Sequence, residues 1–133
     1  MAFLPYKFDG SVRPQSIHYL PGSAFTPKVG MALKYSGGKL ALCSGTTKPE
    51  YISLVEKSAA ISAGDIVPCL RIHPDMIFAV PAQADASAVA DGSKVTIHTD
   101  GLQVTATTSS GVAEIVGREG TGAAGDTLYV RIV

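Results

Sequence analysis

Glycine-marked turns recur roughly every eight to twelve residues from Val29 onward, and between them lie short runs in which apolar and polar residues alternate. Alternation of period two over about four to eight residues suits a half-buried strand, and runs this short do not sustain a helix in water. In "VGMALKYSGGKLALCSG", Val29, Met31, Leu33 and Tyr35 alternate with smaller or polar residues. Gly37-Gly38 then stands where a two-residue hairpin loop belongs, and Leu40 and Leu42 resume the pattern. "KVTIHTDGLQVTATT" has the same plan, with Val95, Ile97 and Thr99 on one face, Asp100-Gly101 as a type I′ turn, and Leu102, Val104 and Ala106 returning. Strands are predicted over 29–35, 39–43, 50–56, 65–72, 76–80, 94–99, 102–108, 112–117 and 127–132. Their apolar positions, among them Val29, Leu54, Ile66, Leu70, Val104 and Ile132, form the expected core. The fold class is all-β, a compact β-sandwich or small β-barrel of short antiparallel strands, since the crossover helices of an α/β sheet are missing. "AQADASAVADGS" is open between one or two helical turns and a loop.

The first 28 residues read differently. Prolines at 5, 14, 21 and 27 leave no window for a helix, and no regular strand pattern stands out. The segment is nonetheless too apolar for a solvated tail, because such tails are poor in aromatic side chains. Residues 1–28 are therefore expected to form an extended N-terminal arm, and 29–133 a β-rich domain. Phe3, Leu4, Tyr6, Phe8, Arg13, Ile17, Tyr19, Leu20 and Phe25 are the candidate binding residues of that arm.

Eleven basic residues balance eleven acidic ones, so the whole chain lacks the field that drives phosphate-backbone binding, and nucleic acid is not an expected partner. Lys7, Arg13 and Lys28 against Asp9 give residues 1–28 a charge of +2, leaving −2 on the rest. No apolar run approaches the roughly 18 residues of a membrane span, and no membrane partner or export signal is expected. Cys43 and Cys69 are too few for a disulfide framework and read as buried, reduced thiols.

Motifs with a chemical meaning dissolve on their context. "GTGAAG" at 120–125 matches G-x-G-x-x-G, but a strand pattern follows it where a helix must receive the pyrophosphate, so it reads as a loop. "HPD" at 73–75 lies between strand-like runs and reads as a turn. Cys69 and His73 stand about 13 Å apart in an extended chain, too far for one metal ion. His18, His73 and His98 are dispersed, and no acid, base and nucleophile assemble, so the expectation is no enzyme, no cofactor and no metal. "SAGDIVPCLRI" and "AAGDTLYVRIV" echo each other one residue out of register. Convergence on Gly for a turn and Asp to bond nearby amides accounts for the echo without a repeat.

The hairpin "KVGMALKYSGGKLALCSGTTKPEYISL", followed by "AGDIVPCLRI", "DMIFAV", "DGSKVTIHTDGLQVTATTSSGVAEIV" and a closing "AGDTLYVRI", resembles tailed-phage head decoration proteins, the capsid-stabilising or cement proteins. The resemblance spans residues 28–133. It implies a structural virion protein, often trimeric, that binds the outer surface of a capsid and clamps neighbouring major capsid subunits, with an N-terminal arm touching the shell. The implied partners are the major capsid protein and further copies of the chain as a homo-oligomer, most often a trimer. The implied location is the outer capsid surface of the virion, and the host cytoplasm during assembly. The other reading of the residues is a carbohydrate- or surface-binding β-sandwich module of a phage tail or cell-surface structure. Scarce aromatics outside the arm, with no Trp, weigh against it.

Overall fold

The alternating runs become strands of two antiparallel sheets, in a computed structural model that describes residues 2–8 and 17–133. The strands are β1 (Leu4–Phe8), β2 (Ile17–Pro21), β3 (Ala32–Ser36), β4 (Lys39–Leu42), β5 (Tyr51–Ser53), β6 (Ile66–Arg71), β7 (Met76–Pro81), β8 (Lys94–Val95), β9 (Ala113–Arg118) and β10 (Thr127–Ile132). The first sheet has the order β1-β7-β10-β9-β8 and the second β2-β6-β5-β3-β4. The described residues contain no helix, so the alanine-rich stretch resolves as turns.

The two sheets pack against each other. A large cluster combines Val80, Val95, Val104, Ile115, Leu128 and Val130 of the first half-sheet region with Ala32, Ile52 and Leu70 of the second sheet. A smaller cluster of Met31, Leu33, Leu40, Tyr51, Val67 and Cys69 lies on the opposite face of the second sheet. That sheet is thus covered on both faces at its centre, and all three residues of β5 are buried. Leu20 and Phe25 pack against the smaller cluster.

The two expected hairpins turn out differently. Gly37 and Gly38 both take positive φ, at 60° and 77°, and close the β3–β4 hairpin as a type I′ turn with Ser36 opposite Lys39. At the second hairpin only Gly101 has positive φ (69°), so Asp100-Gly101 is not a type I′ pair. His98 N–H donates to the Gln103 carbonyl instead, closing a longer loop, and the Gly101 carbonyl accepts from Ala32 N–H of β3. Beyond the loop Thr96 still pairs with the returning chain, accepting from Thr105 N–H and donating to the Thr107 carbonyl. The expected strand 102–108 shrinks to Val104, which bridges Ile97 and Ala82. Val29, Leu54 and Ile66 are exposed rather than core.

The N-terminal segment is extended, but it is not separate from the body. β1 pairs with β7 (Leu4 opposite Ala79, Phe8 opposite Met76) and β2 pairs with β6 (Ile17 opposite Leu70, Pro21 opposite Ile66). The prolines are compatible with strands because these are sheet edges, where a missing N–H costs no ladder bond.

The tail echo extends through both halves of the chain. Gly22 N–H donates to Asp65 O at 2.8 Å as Ala82 does to Asp126 at 2.9 Å, and Ser23 donates to Leu40 O as Gln83 does to Val104 O, each at 2.8 Å. Ser53 donates to Met31 O as Ile115 does to Ser93 O, each at 2.9 Å, and Ile72 to Glu50 O as Val133 does to Val112 O. The order β2-β6-β5-β3 therefore repeats as β7-β10-β9-β8. Convergence at one strand start is too narrow an account; the bonding plan of a whole half recurs. The Arg-Ile pairs are not equivalent, since Arg71 stands opposite Tyr51 where Ile132 stands opposite Ala113.

Candidate functional site

The nine candidate arm residues separate into three groups. Phe3 is fully buried in the larger cluster, its ring edge-on to Phe78 at 6.1 Å, and its N–H donates to Gly30 O at 2.9 Å. With Leu20 and Phe25 it is structural, anchored in the body by burial of apolar area. Leu4, Tyr6, Ile17 and Tyr19 are exposed. Arg13 and the side chain of Phe8 lie outside the described residues.

The exposed four fall on two different sheets. On β1, Tyr6 stacks on Tyr129 at 4.5 Å between centroids, and Tyr129 Oη donates to Glu119 Oε1 at 2.6 Å. That hydrogen bond to a carboxylate holds the Tyr129 phenol up at about 12. On β2, Ile17 and Tyr19 share a strand face with Pro21. Register places Pro68 beside Tyr19 and Ile66 beside Pro21 on the same face. Leu54 joins them, since its N–H donates to the Pro68 carbonyl at 3.0 Å. Tyr19 is 68% exposed, Ile66 59% and Ile17 54%.

This face is continuous with the packed interior. Ile52 and Leu70 lie on it too and are covered by the first sheet, whereas Leu54, Ile66 and Tyr19 run beyond that cover into solvent with Pro68 half-buried between them. Exposed apolar residues are ordinary singly, but a contiguous group on a flat strand face marks a contact surface. Sequence reading found Ile17 and Tyr19 through their aromatic and aliphatic richness. It missed Ile66 and Leu54 by assigning them to the core, because periodicity shows which residues share a face and not where the facing sheet stops.

Chemistry is sparse elsewhere. A cleft of about 380 Å³ is lined by Lys48, Glu50, Arg71, His73 and Ile132 among others. Arg71 there donates to Tyr51 Oη at 3.0 Å and its guanidinium lies over the Tyr51 ring. Among the described residues no three His, Cys, Asp or Glu side chains gather where a metal ion could sit. The "HPD" stretch is a turn closed by Met76 N–H on His73 O, and "GTGAAG" is a loop leading into β10. Cys43 and Cys69 are free and buried, and burial pushes both thiols up to about 11. Within the described residues no helix is long and apolar enough to cross a membrane. No protein-family model matches the chain, and no curated protein matches it in sequence.

Proposed function

We propose that this protein is a structural capsid-decoration protein that binds the outer surface of a phage shell and stabilises it by bridging neighbouring major capsid subunits. The observation that supports this most is the apolar strand face of exposed Ile17, Tyr19, Ile66 and Leu54 around half-buried Pro68, a surface suited to adhesion. Its resemblance to head decoration proteins supplies the partner class. The anchoring surface proposed here differs from a free arm. It is a face of folded strands, so little chain ordering opposes binding.

Co-sedimentation with empty shells of the matching major capsid protein tests this reading. The intact chain is expected to pellet with the shells, and Ile66→Lys and Leu54→Lys to stay in the supernatant while melting normally, since both side chains are exposed. Binding that is indifferent to both charges would refute the surface, and absence of binding by the intact chain would refute the function.

A further inference from the structure

The repeated half-sheet has one unequal feature, at its first strand. β7 and β2 are equivalent strands: each is followed by the same donor to an aspartate carbonyl (Ala82 to Asp126, Gly22 to Asp65) and each pairs with an equivalent neighbour, β10 or β6. The outer edge of β7 is taken by β1. At its C-terminal end the outer edge of β2 meets β4, Gly22 bridging Leu40 as Ala82 bridges Val104, but along Ile17 and Tyr19 no strand among the described residues lies on it.

Hydrogen-bond parity shows what that edge offers. The Pro68 carbonyl accepts from Leu54, so it faces β5 and not β2. Tyr19, opposite Pro68, is therefore in a non-bonded pair, and its own N–H and C=O point away from β6. Ile17, two residues earlier, has the same orientation. At the equivalent place on β7, Ala79 is the residue that β1 takes up opposite Leu4. The edge of β2 is thus a strand acceptor of the kind that this fold fills elsewhere.

We infer that the β2 edge pairs with the β2 edge of a second copy of this chain, antiparallel across a twofold axis. Three features select this occupant. Of the other sheet edges of a neighbouring copy, β4 meets Gly22 and Ser23, β8 runs into Thr96, which bonds Thr105 and Thr107, and β1 is blunted by Pro5 and by the register break between Pro5 and Lys7, devices that protect edges from pairing. The β2 edge instead presents donors and acceptors at both Ile17 and Tyr19, and antiparallel pairing of Ile17 in one copy with Tyr19 in the other satisfies all of them. The flanking side chains on the exposed face, Ile17, Tyr19, Pro21, Ile66 and Pro68, carry no charge, so two identical edges approach without repulsion. A twofold pair is what this edge builds, in place of the trimer that the resemblance implies, and it is independent of shell binding.

Sedimentation equilibrium of the free full-length chain tests it through two substitutions at one position. Tyr19→Ala keeps the outward N–H, whereas Tyr19→Pro removes it and leaves the β6 ladder intact. The expected result is a concentration-dependent dimer whose Kd rises about tenfold or more in Tyr19→Pro and far less in Tyr19→Ala. Amide exchange at Ile17 and Tyr19 should also slow as the concentration of the unmodified chain rises, a readout that stands even if the proline variant fails to fold. A monomer at all concentrations, a trimer, or a dimer indifferent to Tyr19→Pro would each overturn the inference. Loss of shell binding with the dimer intact would count against the proposed function alone.

Discussion

Phe3 is a fully buried aromatic in a segment whose sequence reads as an extended arm. Phe3→Ala is expected to cost about 3–5 kcal/mol, from lost burial and the cavity left against Phe78, read as a shift in urea midpoint. The cysteines supply a pH test. Both thiols titrate near 11 in the folded chain against 9.0 for an unperturbed thiol, so the folded state holds its protons longer than the unfolded one. Stability should therefore be fully present below about pH 9 and fall as the pH rises from there toward 11. Urea unfolding at pH 8 and pH 10.5 checks the sign, and Cys69→Ala should flatten the decline. Thiol reagents at pH 8 should label neither residue until the chain is unfolded.

At the scale of elements, one side chain gathers the middle of the connection between β7 and β8, beside the backbone bonds of Ala86 to Gly122 and Gly92 to Ile115. Arg118 of β9 donates to Asp91 Oδ1 through Nε and Nη2, to Val89 O through Nη2 at 2.6 Å, and to Ala86 O through Nη1 at 3.1 Å. Arg118→Met is expected to leave those carbonyls short of a donor and to loosen residues 86–91, visible as faster proteolytic nicking there with a global loss of about 1–3 kcal/mol. Strand existence was legible wherever alternation and Gly turns coincided, as at β3–β4. β1 and β2 were hidden by Pro5 and Pro21, which read as strand breakers because a sequence does not say which strands lie at an edge. The exposed apolar face was half legible: Tyr19 stands out by type, but the exposure of Ile66 and Leu54 depends on where the first sheet ends.

Across the whole molecule the N-terminal strands belong to the stability of the fold, in contrast to the extended arm expected beside a β-rich domain of residues 29–133. Removing residues 1–8 takes away the edge partner of β7 together with Phe3, and the melting temperature is expected to fall by roughly 10 °C or more. Calorimetry of the shortened chain decides between the two pictures, an unchanged melting point favouring the separable arm. The repeat was visible in sequence only at "AGD", where the turn chemistry demands particular residues. Elsewhere the halves share backbone bonds and not side chains: Tyr51 and Ala113 occupy matching places in β5 and β9.

The position of Phe3 also has a mechanical meaning. β1 lies antiparallel to β7 at a sheet edge, a geometry that opens one bond at a time when one end is pulled. Phe3 precedes the strand, so tension applied ahead of it meets a ring seated in the interior and a bond to Gly30 before it reaches the first rung of the ladder. The ring acts as a latch on a zipper, with the chain holding load until the ring leaves its seat and β1 then peeling away in one run.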